Sequence, residues 1–165
     1  MMQALESVLL DVLETTCETL AFMFPVPPPE QATDEPATSV RVRFEGPISG
    51  RLALAAPDGM LAILAANMLA VDPSDVTDEQ RLDALKELCN VVCGNLLPRL
   101  VGPTPVFHVG TPEPGPAGPM DDANAISVRA WLDDGWLQAI ATVDGGLHRI
   151  ELLRRQANIT GDDER

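Results

Sequence analysis

Residues 39–56 have the sequence SVRVRFEGPISGRLALAA, and this stretch decides the class of fold. Val40, Val42 and Phe44 alternate with polar residues, which is typical of a strand with one buried face. A turn rich in Gly and Pro follows, and Arg51–Ala56 returns as a second strand. Since two strands joined by so short a turn pair antiparallel, the stretch predicts a hairpin that covers one side of a core.

Helical and strand patterns flank this hairpin on both sides. Apolar residues at three- and four-residue spacings predict a first helix over residues 2–24, which Pro25 ends. The remaining elements predicted are a helix from an Asp58 N-cap to Ala70, a helix over Thr77–Leu97 closed by Pro98, strands at about Thr104–Gly110, Ala125–Leu132 and Trp136–Val143, and a short helix within Gly145–Asn158. This order predicts an α+β fold, a mostly antiparallel sheet with helices packed on one face.

The chain length predicts one domain over residues 1–165. Within it, the Pro-rich segments 25–37 and 111–124 are predicted to be surface loops, and 159–165 a frayed tail.

The formal net charge of −14 argues against two classes of partner. Such a surface repels phosphate backbones and anionic lipid headgroups, so neither nucleic acid nor a membrane surface is expected. The most apolar run, Met60–Val71, is too short to span a bilayer. An odd number of cysteines and an acidic N-terminus without a signal peptide predict a cytoplasmic protein with reduced thiols.

The helix predicted at Thr77–Leu97 has a polar stripe opposite its apolar side. On a helical wheel Glu87, Asn90 and Gly94 fall within about 40° of Asp83, on the side away from the predicted core. Many helices carry such a stripe only because that face is solvated. Here an amide in mid-helix and a glycine on the same stripe are both unfavourable for a helix, which favours a surface that docks on a partner.

Glu87 and Asn90 are three residues apart, so their side chains reach the same region beyond the helix. A carboxylate can bind a cation, and an amide can orient a water for in-line attack on a phosphoryl group. The pair contains no strong nucleophile, so covalent catalysis is not expected. The protein would need no cofactor of its own, because magnesium and the phosphoryl group would come from the partner.

The cysteines offer an alternative site that the pattern does not favour. Cys89 and Cys93 are four residues apart and could bind a metal, but both lie on or beside the apolar side of the helix. We interpret them, with Cys17, as buried thiols and expect no metal site.

The spaced residues Asp83, Glu87, Asn90 and Gly94-Asn95 resemble the signature helix of the CheC/CheX chemotaxis phosphatases. The upstream segment FEGPISGRLALAAP and the alanine-rich helix ending in NMLA are also similar to that family. The resemblance implies an α+β fold and a phosphorylated CheY-like receiver as substrate. It further implies that Glu87 holds the receiver's active-site lysine, that Asn90 positions the hydrolytic water, and that Asp83 and Gly94 support the contact.

CheC-like members carry a second copy of the motif on the first helix. Here Glu14 is followed three residues later by Cys17, where an asparagine would be needed, so that copy is interpreted as lost. A single motif makes CheX the closer match, and the resemblance then implies a homodimer. The alternative hypothesis is a binding module without turnover, which docks on or sequesters a receiver or a flagellar-switch protein.

Overall fold

A computed structural model describes residues 1–31, 35–116 and 124–162, with the backbone alone at 158–162. The elements in chain order are α1 (Met2–Ala21), β1 (Ala37–Glu45), β2 (Gly50–Pro57), α2 (Asp58–Leu69), a 3₁₀ turn (Pro73–Asp75), α3 (Asp78–Val101), β3 (His108–Val109), β4 (Glu113–Pro114), β5 (Ala125–Leu132), β6 (Gly135–Val143) and α4 (His148–Asp162).

One antiparallel sheet organises these elements. Its strand order is β3-β1-β2-β6-β5, and β4 also pairs with the outer edge of β1. The predicted hairpin is present, with Val42 opposite Leu52 and Phe44 opposite Gly50. Helices α1, α2 and α3 cover the side of the sheet from which Val40, Val42 and Phe44 project into the core. The predicted α+β class, with helices on one face of an antiparallel sheet, is therefore confirmed.

Two helix ends differ from the prediction. Helix α1 ends at Ala21 rather than next to Pro25, because Phe22 adopts a left-handed conformation (φ 54°) and its N–H bonds the Glu18 carbonyl. A left-handed residue of this kind ends a helix by itself, so Pro25 does not terminate α1. Asp58 was predicted as the N-cap of α2, but it is the first helical residue and Pro57 precedes it without a side-chain cap. Its acidic side chain still suits the helix dipole there.

Helix α3 is anchored at its start and passes the residue predicted to end it. The Thr77 N–H donates to Gln80 Oε1 (3.0 Å) and the Gln80 N–H donates to Thr77 Oγ1 (3.1 Å), which confirms the capping box. The helix continues through Pro98 to Val101. Proline removes only the bond to the carbonyl four residues earlier, and that carbonyl belongs to exposed Gly94, where water can hydrate it.

The C-terminal half contains shorter strands than predicted. The strand expected over Thr104–Gly110 is reduced to β3, and β4 lies within the segment predicted as a loop at 111–124. Proline cannot donate to a strand ladder, and the prolines at 103, 105, 112 and 114 restrict pairing with β1 to two short stretches. Residues 32–34 and 117–123 of the predicted loops lie outside the described residues.

The last elements follow the prediction more closely. Strand β5 has the predicted bounds and β6 begins one residue earlier. Helix α4 begins at His148, since Gly145 (φ 83°) and Gly146 (φ 103°) have left-handed backbones, and it continues to Asp162, into the predicted frayed tail. Residues 163–165 of that tail lie outside the described part. No helix in the described ranges is long and apolar enough to cross a membrane.

Candidate functional site

The polar stripe of α3 is exposed as the sequence predicted. Asp83, Glu87, Asn90 and Gly94 are all solvent-exposed. The opposite side of the helix is buried on the sheet, and its residues are Leu85, Leu88, Cys89, Val92 and Leu96. The Cys89 thiol lies 3.8 Å from the Leu52 carbonyl oxygen, which places this buried side directly on the predicted hairpin. The hairpin thus supports the stripe from beneath.

The functional groups of the stripe have no partner within the described part of the chain. Neither Asp83, Glu87 nor Asn90 makes a side-chain hydrogen bond or ion pair there. Both arginines nearer the ends of the same helix are paired, since Arg81 contacts Asp78 (3.0 Å) and Arg99 contacts Asp11 (2.8 Å). The carboxylates and the amide are therefore free to meet groups of another molecule.

Gly94 is not required by packing within the chain. A Cβ atom at this position would meet no atom within 4 Å. Since glycine weakens a helix by about 1 kcal/mol relative to alanine, the residue has an intramolecular cost and no intramolecular contact to offset it. Because Gly94 has no side chain, another molecule can approach the helix backbone closely at this position.

An apolar hollow that the sequence pattern does not predict borders the stripe. Met68 and Leu69 of α2 line one side, and Gln80, Asp83, Ala84 and Glu87 of α3 line the other, around a volume of about 290 Å³. We call it the α2–α3 hollow. It depends on how closely the last turn of α2 approaches α3, which the periodicity of neither helix specifies. The only sequence signal is the apolar pair Met68-Leu69 at the end of α2.

Comparisons with known proteins agree with the resemblance. The family model described as "Chemotaxis phosphatase CheX" matches residues 38–114. Solved structures with the same fold include a chemotaxis protein CheX from Vibrio vulnificus (TM-score 0.65, 19% identity, covering 83% of this chain and 94% of that chain). A second is a CheX from Desulfovibrio desulfuricans (TM-score 0.64, 16% identity, 85% and 99% covered). The resemblance to CheX is confirmed.

A further structure with this CheX fold contains a partner. It is the CheX-CheY-BeF3-Mg complex from Borrelia burgdorferi, with a TM-score of 0.60 and 17% identity over 83% of this chain and 96% of that chain. No protein of curated function matches the sequence. The segment matched by the CheX model contains the β1–β2 hairpin except its first residue, all of α2 and the whole stripe of α3. The sequence likeness to CheX therefore covers the candidate site.

The first helix of this CheX-like fold does not offer an equivalent site. Cys17 is fully buried in the core, and Glu14 is half-buried. Burial raises the pKa of the Glu14 carboxyl, and the neighbouring charges of Asp11 and Glu18 raise it further. Near this helix the Asn95 amide of α3 lies 3.5 Å from the Thr16 hydroxyl, at the limit of a hydrogen bond. The α3 stripe is the better candidate.

The three cysteines are buried, as interpreted from the sequence. Burial raises the pKa of Cys17, Cys89 and Cys93 to about 12, with smaller contributions from Glu14 to the first and from Cys93 to the second. Within the described ranges no three His, Cys, Asp or Glu side chains are grouped so that they could hold a metal ion.

We expect these thiols to be unreactive in the folded protein. A pKa near 12 leaves them protonated at pH 8, and a protonated, buried thiol is a poor nucleophile. Titration with a colorimetric thiol reagent should show almost no reaction in buffer and three reactive thiols in urea. Rapid labelling of any one cysteine in buffer would contradict the buried assignment.

Proposed function

We propose that this protein is a CheX-type phosphatase that hydrolyses the aspartyl phosphate of a CheY-like receiver. The observation that carries the proposal is the pair Glu87 and Asn90, which are exposed, unpaired within the described residues and one turn apart on α3. The CheX family model and the CheX fold support it, because the matched segment includes both residues.

The mechanism assigns a binding role to Glu87 and a positioning role to Asn90. The Glu87 carboxylate pairs with a lysine ammonium beside the receiver's phosphoaspartate and sets the register of the complex. The Asn90 amide then accepts a hydrogen bond from a water and holds it in line with the phosphorus–oxygen bond to the aspartate. Water attack forms inorganic phosphate, the aspartyl–phosphate bond breaks, and the receiver regains its carboxylate.

Asp83 and Gly94 have supporting roles in this proposal. Asp83 lies one turn before Glu87 and adds negative charge towards the receiver's cationic group. Gly94 lets the receiver's backbone approach the last part of the stripe. Magnesium, which screens charge on the phosphoryl group, is expected to come from the receiver. We place the reaction in the cytoplasm and propose that the protein acts as a homodimer, as the resemblance to CheX implies.

Replacing Glu87 by alanine should weaken receiver binding. We expect KM for a CheY-type receiver, phosphorylated with acetyl phosphate, to rise about tenfold or more, because a charge-assisted contact is lost. Phosphate release measured over a range of receiver concentrations separates KM from kcat. Glu79→Ala removes an exposed carboxylate from the first turn of the same helix and is the matched control. Equal KM values for Glu87→Ala and the control would contradict the role given to Glu87.

A binding module without turnover remains the second candidate, since the unpaired stripe could dock on a receiver without positioning a water. The lifetime of the phosphoreceiver distinguishes the two functions. A phosphatase shortens this lifetime at substoichiometric concentration, whereas a sequestering protein binds stoichiometrically and leaves the lifetime unchanged or longer.

A further inference from the structure

Apolar side chains are exposed immediately beside the proposed catalytic stripe. Leu69 is 48% exposed at the end of α2, and Val71 just after it is 45% exposed. Leu69 lines the α2–α3 hollow together with half-buried Met68 and buried Ala84. The volume of about 290 Å³ has room for several waters or for one large apolar side chain. Clustered exposed apolar side chains beside a cavity are typical of a surface that binds another molecule.

The wall that α2 contributes to the hollow is fixed by backbone hydrogen bonds. Ala70 ends the helix in a left-handed conformation (φ 57°), and the Val71 N–H bonds the Ala66 carbonyl (3.1 Å). One turn earlier the Asn67 amide donates to the Ala21 carbonyl of α1 (2.8 Å). Leu69 therefore stands on a turn tied to both its own helix and α1. The hollow is preformed, so a partner can fill it without ordering a loop.

We propose that the α2–α3 hollow receives an apolar side chain that the receiver presents beside its phosphorylated aspartate. This proposal rests on the function proposed above, and it makes Leu69 a specificity-determining residue. Glu87 belongs both to the stripe and to the wall of the hollow. A receiver whose lysine pairs with Glu87 must therefore lie over the opening of the hollow.

The charges around the hollow support a receiver segment as its occupant. Asp83 and Glu87 are its two acidic lining residues, and neither is neutralised by an ion pair among the described residues. An acidic occupant would be repelled, whereas an apolar side chain next to a lysine satisfies both the apolar and the acidic parts of the lining. Receivers with a large apolar residue beside that lysine should be preferred over receivers with a small or acidic one.

The test compares two exposed leucines of the same protein. Leu69→Ser removes the apolar contact, while Leu152→Ser changes a leucine of α4 that is 52% exposed. The control site is remote from the hollow. Helix α4 lies against the end of α3, where Arg154 bonds the Leu100 carbonyl, and Leu100 is about 24 Å along α3 from Ala84 in the wall of the hollow. We expect Leu69→Ser to raise KM for the phosphorylated receiver roughly tenfold, because the apolar surface buried by a leucine side chain in the complex is lost. We expect kcat to stay within about twofold, since no group that touches the phosphoryl group changes.

Failure of this inference can be distinguished from failure of the proposed function. If wild type is active and Leu69→Ser has the same KM as Leu152→Ser, the hollow is not a receiver contact and the phosphatase proposal is unaffected. If wild type leaves the phosphoreceiver lifetime unchanged, the phosphatase proposal falls. The affinities of wild type, Leu69→Ser and Leu152→Ser for the same receiver, measured by titration, then test the inference. Weaker binding by Leu69→Ser but not by Leu152→Ser supports the receiver contact at the hollow, whereas equal affinities of the two variants, or no binding by wild type, overturn it. Thermal unfolding of each variant checks that it is folded, and Leu69→Gln serves as a second substitution.

Discussion

Replacing Asn90 by alanine is expected to reduce the rate of receiver dephosphorylation about 100-fold, the usual effect of removing one positioned polar group from a reacting centre. Alanine leaves the attacking water without the amide that orients it, and the receiver's own slow hydrolysis then dominates. The loss should be in kcat, with KM little changed, because Asn90 contributes to the transition state rather than to binding. Single-turnover decay of phosphorylated receiver with excess protein measures this step directly.

The chain offers a matched control for this substitution. Asn95 is also an exposed asparagine of α3, but it faces α1, where its amide lies 3.5 Å from the Thr16 hydroxyl. Asn95→Ala should retain nearly wild-type kcat. If Asn90→Ala shortened the phosphoreceiver lifetime as well as wild type does, Asn90 would not position the water. Retained receiver binding by Asn90→Ala would show that its surface is intact.

The second large effect concerns the buried side of the same helix. Leu88 is fully buried and lies next in sequence to Glu87. Leu88→Ala should lower the free energy of unfolding by about 2–5 kcal/mol, through lost apolar burial and the cavity left behind. Urea denaturation followed by circular dichroism measures the change. Leu82→Ala, at a half-buried position of α3, should cost clearly less. Similar losses for the two variants would contradict the packing of α3 on the sheet.

The sequence was sufficient for those parts of the fold in which periodicity and local turn chemistry agree. Strand β5 and the Thr77 capping box are present as predicted, because alternation and cap spacing are local properties of the chain. Errors occurred where tertiary contacts decide the result. The strand predicted over Thr104–Gly110 is shortened to β3, and β4 lies in a segment predicted as a loop. Both strands are delimited by their pairing with β1, which the local pattern of these residues does not specify.

In the candidate site, too, the features that belong to one helix were predictable and those that depend on packing between helices were not. The stripe of Asp83, Glu87, Asn90 and Gly94 was predicted because all four positions belong to one helix, whose geometry is known once the helix is recognised. The α2–α3 hollow was not predicted, since its two walls come from different helices and its width depends on their packing on the sheet. The chemical roles of Glu87 and Asn90 stay predictions until the variants are measured.

The absence of internal partners for Glu87 and Asn90 in the described part of the chain also bears on how long a complex would last. No bond within the protein must break before they engage a receiver, so docking has no such activation step. Immobilising each of these side chains nevertheless costs about 0.5–1.5 kcal/mol, which reduces affinity and favours a short residence time. A protein with this surface would act on many receivers in succession, with rapid turnover rather than tight capture.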